Sequence, residues 1–330
     1  MFKRIATAAL LSCLSLPAAA LCTGGSYLDQ LTAAQNAQLI EAVATIPFAE
    51  GVIWDARKGN DTIKVVGTMH IYDPRLESVF AAVADAVHNA DLVLVEATPE
   101  DEAALQRLVT SDPSQIFLTS GPTLPELLDE ETWQLLSEAA SARQIPSFMA
   151  AKMQPWYLSI VLAVPPCAMT DMLAGNQGLD HMITGAAAET GVPMQALEDF
   201  RLLFSIFQDE PLEQQLEVLR MNLLMPDMQE AMFVAMLEAY FSQDIATLLE
   251  LSRIALSDLP NMDVTAAMAL FDETQTELLD NRNRNWIPVI TEVLATHDDI
   301  VVAVGAAHLV GENGILNLLQ DDGWAISRAD

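Results

Sequence analysis

The chain has 330 residues, of which 52% are hydrophobic and 18% charged, so it can bury a substantial core. Its formal net charge is −31, from 46 acidic and 15 basic residues. Such a surface repels phosphate backbones and anionic lipid headgroups, which argues against nucleic-acid and membrane-surface partners.

The first twenty residues have the pattern of a cleavable signal peptide. Lys3 and Arg4 form a short basic start, residues 5–16 are an apolar run too short to span a bilayer, and three alanines end at Ala20. We therefore expect cleavage near Ala20 and a periplasmic or secreted protein. No later segment predicts a membrane span in the mature chain.

Export changes the interpretation of the cysteines. Cleavage removes Cys13 and leaves Cys22 and Cys167, and two cysteines in an oxidising compartment usually form a disulfide. A metal or catalytic role for either is disfavoured, because no histidine or second cysteine lies close to it in sequence. A lipid anchor on Cys22 is an alternative, although Leu21 is a poor residue to precede such a cysteine.

The predicted elements begin with an amphipathic helix over residues 27–45 and a β-hairpin. After the hairpin come a helix and a short apolar strand, an order that implies parallel strands joined by a right-handed crossover. Residues 100–280 are mainly helical, with one strand expected at 192–197. The remaining predicted elements are hairpin strands at 52–56 and 62–66, a helix at 75–89, strands at 91–95, 300–304 and 324–328, and a helix at 313–320.

One element occurs twice, as an apolar strand followed by Gly-x-x-His. The copies are Gly67–His70 and Gly305–His308. Glycine permits a sharp exit from the strand or the close approach of another segment. Each histidine then lies over the carboxyl end of the sheet, where open α/β sheets bind ligands. Glu96 ends its own strand at the same edge.

Two imidazoles and a carboxylate are a common ligand set for a catalytic divalent metal with open coordination positions. We therefore predict a metal site formed by His70, His308 and Glu96. The sequence leaves open whether Glu96 is a ligand or the general base. The other histidines, at positions 88, 181 and 297, are interpreted as structural or solvent-exposed.

With these elements in view, the chain resembles the TraB/PrgY/GumN family, which also contains the Tiki-type metalloproteases. The resemblance runs from about residue 50 to the C-terminus. The matching stretches are Val66-Gly-Thr-Met-His70, Leu92-Val-Leu-Val-Glu96, Gln154-Pro-Trp156, Gly178-Leu-Asp180, Ala196-Leu-Glu198, Asn281-Arg-Asn-Arg-Asn-Trp286 and Val304-Gly-Ala-Ala-His-Leu-Val-Gly311.

The resemblance implies metal-dependent peptide cleavage with Mn²⁺ or Co²⁺ held at His70, Glu96 and His308, and the ligand set itself also suits Zn²⁺. It also implies a single domain over residues 21–330, in which residues 100–280 form a helical insertion or subdomain. The expected fold class is α/β, or α+β, with a central mixed sheet whose parallel βαβ units carry the two Gly-x-x-His loops.

Three further residues are candidates for the site. Arg282 and Asn283 would bind a substrate carboxylate or stabilise an oxyanion, and Asp180 is a further candidate substrate contact. The structural alternatives are a buried salt bridge from Arg282 to Asp180 or Glu198, and helix capping by Asp180.

The leading functional prediction is a periplasmic metal-dependent hydrolase acting on peptide or amide bonds. Two alternatives stay open. One is a non-enzymatic protein that binds a peptide or signalling molecule, and the other is a haem-binding protein with a histidine or tyrosine axial ligand.

Overall fold

A computed structural model describes residue 22 and residues 24–223, 226–257 and 263–329. The predicted signal peptide and its cleavage site at Ala20 lie outside the described residues. Within the described part of the chain, no helix is both long and apolar enough to cross a membrane.

A six-stranded mixed sheet forms the centre of the molecule, in the order β4-β3-β5-β2-β1-β6. Strands β4, β3, β5 and β2 are parallel, whereas β1 is antiparallel to both β2 and β6. This arrangement confirms the predicted fold class. The strands are β1 (Ile53–Lys58), β2 (Asp61–Thr68), β3 (Leu92–Val95), β4 (Met194–Ala196), β5 (Asp299–Gly305) and β6 (Ala325–Arg328).

Strand order departs from the simplest expectation at one point. The sequence predicts a parallel pair on either side of the helix Leu76–Asn89, but β5 lies between β2 and β3. Five consecutive residues of β5, numbers 300–304, are buried, as expected of an apolar strand covered on both faces. Strand β5 therefore lies in the middle of the sheet, and its carboxyl end is beside the carboxyl ends of β2 and β3.

Helices surround the sheet and fill the middle of the chain, as predicted. The first helix is shorter than expected, because a capping box of Thr32 and Gln35 starts it. The helices are α1 (Ala33–Val43), α2 (Leu76–Asn89), α3 (Pro99–Ser111), α4 (Leu124–Leu127), α5 (Glu130–Ala142), α6 (Ser147–Ala150), α7 (Pro155–Ala163), α8 (Pro166–Leu173), α9 (Leu179–Thr190), α10 (Arg201–Gln208), α11 (Leu212–Leu223), α12 (Pro226–Phe241), α13 (Ile245–Ser257), α14 (Val264–Gln275), α15 (Asn281–Val293) and α16 (Ile315–Asp321).

A five-residue π-helix, Thr276–Asp280, joins α14 to α15. Such segments are rare and occur often at functional sites. Here it precedes the first turn of α15, whose Arg282 and Asn283 contact His308 in the loop after β5. Both side chains are buried there.

The predicted disulfide is present. Cys22 is bonded to Cys167 across a sequence separation of 145 residues, and the bond ties the start of the described chain to α8. Disulfides persist in oxidising compartments, so the bond favours a secreted or periplasmic setting.

Candidate functional site

The two Gly-x-x-His loops lie side by side at the carboxyl edge of the sheet. Strands β2 and β5 are parallel neighbours, with Gly67 opposite Val304 and Thr68 opposite Gly305. A Cβ on Gly67 would lie 3.0 Å from Ala306 Cα and 2.8 Å from a methyl group of Leu309. The first glycine therefore permits the close approach of the second loop, as its position in the sequence predicts.

His308 is buried and hydrogen-bonded at both ring nitrogens. Its Nδ1–H donates to Asn283 Oδ1 at 2.6 Å, and its Nε2 accepts from Arg282 Nη1 at 3.2 Å. The tautomer follows because arginine has no acceptor. Burial lowers the pKa of His308 to about 4, so the imidazole is neutral at pH 7.

Glu96 follows β3 and lies between the second loop and Arg282. Its Oε1 accepts from the backbone N–H of Gly305 at 2.8 Å and lies 3.8 Å from His308 Nε2. Its Oε2 accepts from Arg282 Nη2 at 2.6 Å. Burial works against ionisation of Glu96, but the positive charges of Arg282 and His70 and the hydrogen bond from the Gly305 N–H outweigh it and hold the carboxyl pKa below its usual range.

All three nitrogens of the Arg282 guanidinium donate hydrogen bonds within the protein. Besides Glu96 and His308, it donates to Glu198 through Nε and Nη2, at 2.9 and 2.6 Å, and to the carbonyl of Leu278 at 2.9 Å. The sequence left two roles open for Arg282, and the structure contains one of them, the buried salt bridge to Glu198. Trp286 Nε1–H donates to the second oxygen of Glu198 at 2.9 Å and completes the cluster.

His70 lies at the solvent side of the same edge. Its side chain is 68% exposed, and its Nδ1 lies 3.1 Å from Asp180 Oδ2. This hydrogen bond raises the pKa of His70 to about 9, so His70 is an imidazolium at neutral pH. The charges of Glu96 and Arg282 also act on the pKa of His70, whereas no direct contact joins it to either residue among the described ones.

Asp180 belongs to a chain of ionisable side chains on α3 and α9 that contact one another. The same carboxylate oxygen lies 2.9 Å from His181 Nδ1, and His181 Nε2 lies 3.0 Å from Glu102 Oε1. Burial raises the pKa of Asp180, but the close contacts with His181 and His70 outweigh it and bring that pKa far below its usual value. Asp180 therefore contacts His70 and His181. Its contact with a substrate stays a prediction.

Asn283, the other predicted substrate contact, is only 1% exposed. Its Oδ1 accepts from His308, and its Nδ2 donates to the carbonyl of Asn313 at 2.9 Å. These contacts give it the role of orienting the His308 ring.

Two partners of the site, His181 and Trp286, have no part in the site that the sequence predicts, whereas Glu198 is one of the two ion-pair partners that it offers for Arg282. His181 contacts Glu102 and Trp286 contacts Glu198, and both of these carboxylates are distant in sequence. The one available signal is the presence of His181 next to, and of Trp286 in, the stretches Gly178–Asp180 and 281–286 that carry the family resemblance.

The three predicted metal ligands do not form one compact cluster. Among the described residues, ligand atoms of three His, Cys, Asp or Glu residues gather within 4.8 Å only at Cys22, Cys167 and Glu230. Those cysteines are consumed by the disulfide. Of the predicted set, Glu96 and His308 offer two donors 3.8 Å apart, and His70 stands on the same edge.

The model of the TraB/PrgY/gumN family matches residues 52–328, which include every residue of the site described above. No curated protein matches the chain. No solved structure matches it either.

Proposed function

The chain belongs to the TraB/PrgY/gumN family, and from that premise we propose that it is a periplasmic metal-dependent hydrolase of peptide or amide bonds. The observation that carries the proposal is shared by the two loop histidines. His70 and His308 each engage a side-chain oxygen through Nδ1, Asp180 Oδ2 and Asn283 Oδ1 respectively. Metal-binding histidines are usually held in this way, which leaves Nε2 for the ion.

The donor set fits a divalent cation in its chemistry. Two imidazole nitrogens and the Glu96 carboxylate suit Mn²⁺, Co²⁺ or Zn²⁺. Three adjustments would accompany binding. His70 would approach Glu96 and His308, because the ligand atoms of the three residues do not all lie within 4.8 Å of one another. His70 would lose its proton, because its pKa is raised to about 9. Arg282 Nη1 would move away from His308 Nε2, which it now approaches to 3.2 Å.

A bound ion would polarise the scissile carbonyl and lower the pKa of a water molecule. The protein's own groups would accept the proton from water and stabilise the negative charge that develops on the substrate. In the alternative role that the sequence leaves open, as general base rather than ligand, Glu96 would accept a proton from water as an ionised carboxylate held by the N–H of Gly305. Arg282, once released from His308, would keep its ion pair with Glu198 and would offer Nη1 to a developing oxyanion.

The disulfide supports the setting of this proposal, because it is typical of an oxidising compartment such as the periplasm. The family resemblance supports the reaction class, since Tiki-type members cleave peptides with the same Gly-x-x-His pairs.

One observation favours a second function, non-catalytic binding of a peptide. Arg282 forms a closed network with Glu96, Glu198 and His308. With its groups paired in this way, the site would offer a peptide a fixed set of polar contacts and would not activate water. The experiments below separate the two functions.

The first experiment measures thermal unfolding of the mature protein after treatment with a chelator, with and without Mn²⁺, Co²⁺ or Zn²⁺. A ligand at about 100 times its dissociation constant stabilises the folded state by about 2.7 kcal/mol. We expect this gain in wild type and its loss in His70→Ala and His308→Ala. His88→Ala is the matched control, because His88 is exposed on α2.

The second experiment incubates the same four proteins with an internally quenched peptide library and the stabilising ion. Turnover by wild type and His88→Ala alone supports the hydrolase. Peptide binding without turnover, equal in wild type and His308→Ala, supports the second function. The absence of a stabilising shift with all three ions would overturn the metal proposal.

A further inference from the structure

An apolar cavity of about 260 Å³ lies beside the Arg282 network. It is enclosed by α7, α10, α11, α14 and the π-helix that follows. Its apolar lining includes Trp156, Ile160, Phe207, Val218, Leu270 and Leu278. Ligand-binding cavities usually measure about 300–1,000 Å³, so this space suits one large side chain rather than a whole ligand.

The cavity is one residue away from the candidate catalytic groups. Leu278 lines it, and the carbonyl of the same residue accepts a hydrogen bond from Arg282 Nη1 at 2.9 Å. That Nη1 is also the atom that contacts His308. A group bound in the cavity would therefore be separated by one residue, Leu278, from Arg282, to which the proposed function assigns the oxyanion.

Aromatic packing fixes one wall of the cavity. The rings of Trp156 and Phe207 are stacked, with centroids 6.0 Å apart and planes 8° apart. Phe204 packs edge-on against Trp156, with a centroid distance of 5.4 Å. A flat, preorganised aromatic wall favours an aromatic partner, because offset or edge-on ring contacts add to the gain from burial.

Negative charge surrounds the same cavity. Glu210, Glu273 and Glu277 belong to its lining. Glu273 and Glu277 are exposed, and Glu210 is half-buried. In the described part of the chain, no salt bridge joins any of the three to a basic side chain. These carboxylates are available for a cation brought by a ligand.

We propose that the cavity is a specificity pocket, which takes an aromatic side chain of a peptide substrate while the three glutamates bind an adjacent basic residue. The proposal rests on the proposed peptide hydrolysis for its catalytic meaning. The apolar wall selects the aromatic group, and the charge complementarity selects the cation. The occupant is thus an aromatic–basic peptide segment.

The test uses three capped dipeptides: acetyl-Phe-Arg-amide, acetyl-Phe-Glu-amide and acetyl-Gly-Arg-amide. Binding to the metal-free mature protein is measured by calorimetric titration. We expect acetyl-Phe-Arg-amide to bind at least about tenfold more tightly than the glycine peptide, because burial of an aromatic side chain is lost. We expect it to bind about threefold more tightly than the glutamate peptide, the ratio typical of one exposed ion pair.

Two variants locate the binding. Ala163→Trp adds a large side chain at an exposed residue that lines the cavity, and we expect it to remove binding of acetyl-Phe-Arg-amide. Glu273→Lys should weaken that binding about threefold or more. The control is Glu77→Lys, which changes the net charge equally at an exposed position on α2.

Equal binding of the three peptides, or equal binding by wild type and Glu273→Lys, would overturn the pocket. Because the titration is done without metal, this failure is distinct from failure of the metal-dependent stabilisation in the proposed function.

Discussion

Arg282 Nη1 and His308 Nε2 face each other at 3.2 Å in the interior of the protein. A guanidinium only donates, so the imidazole must be neutral and must accept through Nε2. The same lone pair is the one that a metal ion would use. Under the proposed function, Arg282 and a metal ion would therefore compete for one nitrogen.

We expect replacement of Arg282 by Ala to be severely destabilising. It would leave Glu96 and Glu198, whose side chains are 17% and 9% exposed, without their counter-charge. Loss of one partner from a buried ion pair costs about 3–5 kcal/mol in the free energy of unfolding. Urea unfolding gives this value directly.

The control for Arg282→Ala is Arg284→Ala. Arg284 is half-exposed, and its nearest acidic partner, Asp280, is 3.8 Å away, so its loss should cost at most about 1 kcal/mol. Equal costs for the two variants would contradict the buried network.

His308 makes stability depend on pH in a defined direction. Its pKa is lowered by burial to about 4, against 6.5 for an ordinary histidine. The unfolded chain therefore binds more protons between these values, and the stabilisation present above pH 6.5 is lost as pH falls towards 4. The slope from one such group is about 1.4 kcal/mol per pH unit.

Urea unfolding of chelator-treated protein across this pH range measures the effect. His308→Gln should flatten the slope between pH 6.5 and 4, whatever it does to stability at pH 7. His88→Gln should leave the slope unchanged, because His88 is exposed. A slope in His308→Gln equal to that of wild type would refute the assignment.

His70 should titrate in the opposite direction. The hydrogen bond to Asp180 raises its pKa to about 9, so its favourable charge is retained below pH 6.5 and lost as pH rises through 9. We expect an NMR titration to show a His70 midpoint near 9 in wild type. In Asp180→Asn the midpoint should fall to or below 6.5, and an unshifted midpoint would exclude Asp180 as the cause.

The sequence predicts those parts of the site that are encoded locally. Each Gly-x-x-His loop is a contiguous pattern, and parallel strands bring their carboxyl ends to one edge, so the proximity of Gly67 and Gly305 follows from the pattern. The ion pair of Arg282 with Glu198 spans 84 residues and has no periodic signal. Only the packing of α15 against the end of β4 determines which carboxylate meets the guanidinium.

Strand order is unpredictable from the sequence for a similar reason. The βαβ pattern gives the direction of β2 and β3, but not the strand that separates them. Strand β5 enters from 200 residues further along the chain, and its central place depends on burial of both of its faces. His181 illustrates the same limit, since its helical position gives no indication that Glu102, on α3, lies 3.0 Å from its ring.

The disulfide should contribute strongly to stability. It closes a loop across a sequence separation of 145 residues. The loss of chain entropy in the unfolded state then stabilises the folded protein by up to about 5 kcal/mol. The Cys22→Ser/Cys167→Ser variant should unfold at lower urea concentration than wild type. Wild type treated with a thiol reductant should match the variant, whereas an untreated wild type that unfolds like the variant would argue against the bond.

Gly178 allows the close contact between the His70 loop and the start of α9. A Cβ at this position would lie 2.2 Å from the carbonyl oxygen of Met69 and 2.4 Å from that of His70. Both are backbone atoms, so Gly178→Ala must displace the loop or the helix. We expect the variant to lose stability and to shift the His70 pKa from about 9 towards its ordinary value, because the hydrogen bond to Asp180 depends on this contact.

Gly185 provides the matched control for Gly178 within the same helix. A Cβ on Gly185 would meet no atom within 4 Å. Alanine is favoured over glycine inside a helix by about 0.5–1 kcal/mol, so Gly185→Ala should stabilise the protein slightly and leave the His70 titration unchanged. The two variants add the same methyl group to the same helix, and only its contact with the loop differs. If urea unfolding and the NMR titration gave the same result for both variants, the position of His70 would not depend on the close backbone contact at Gly178.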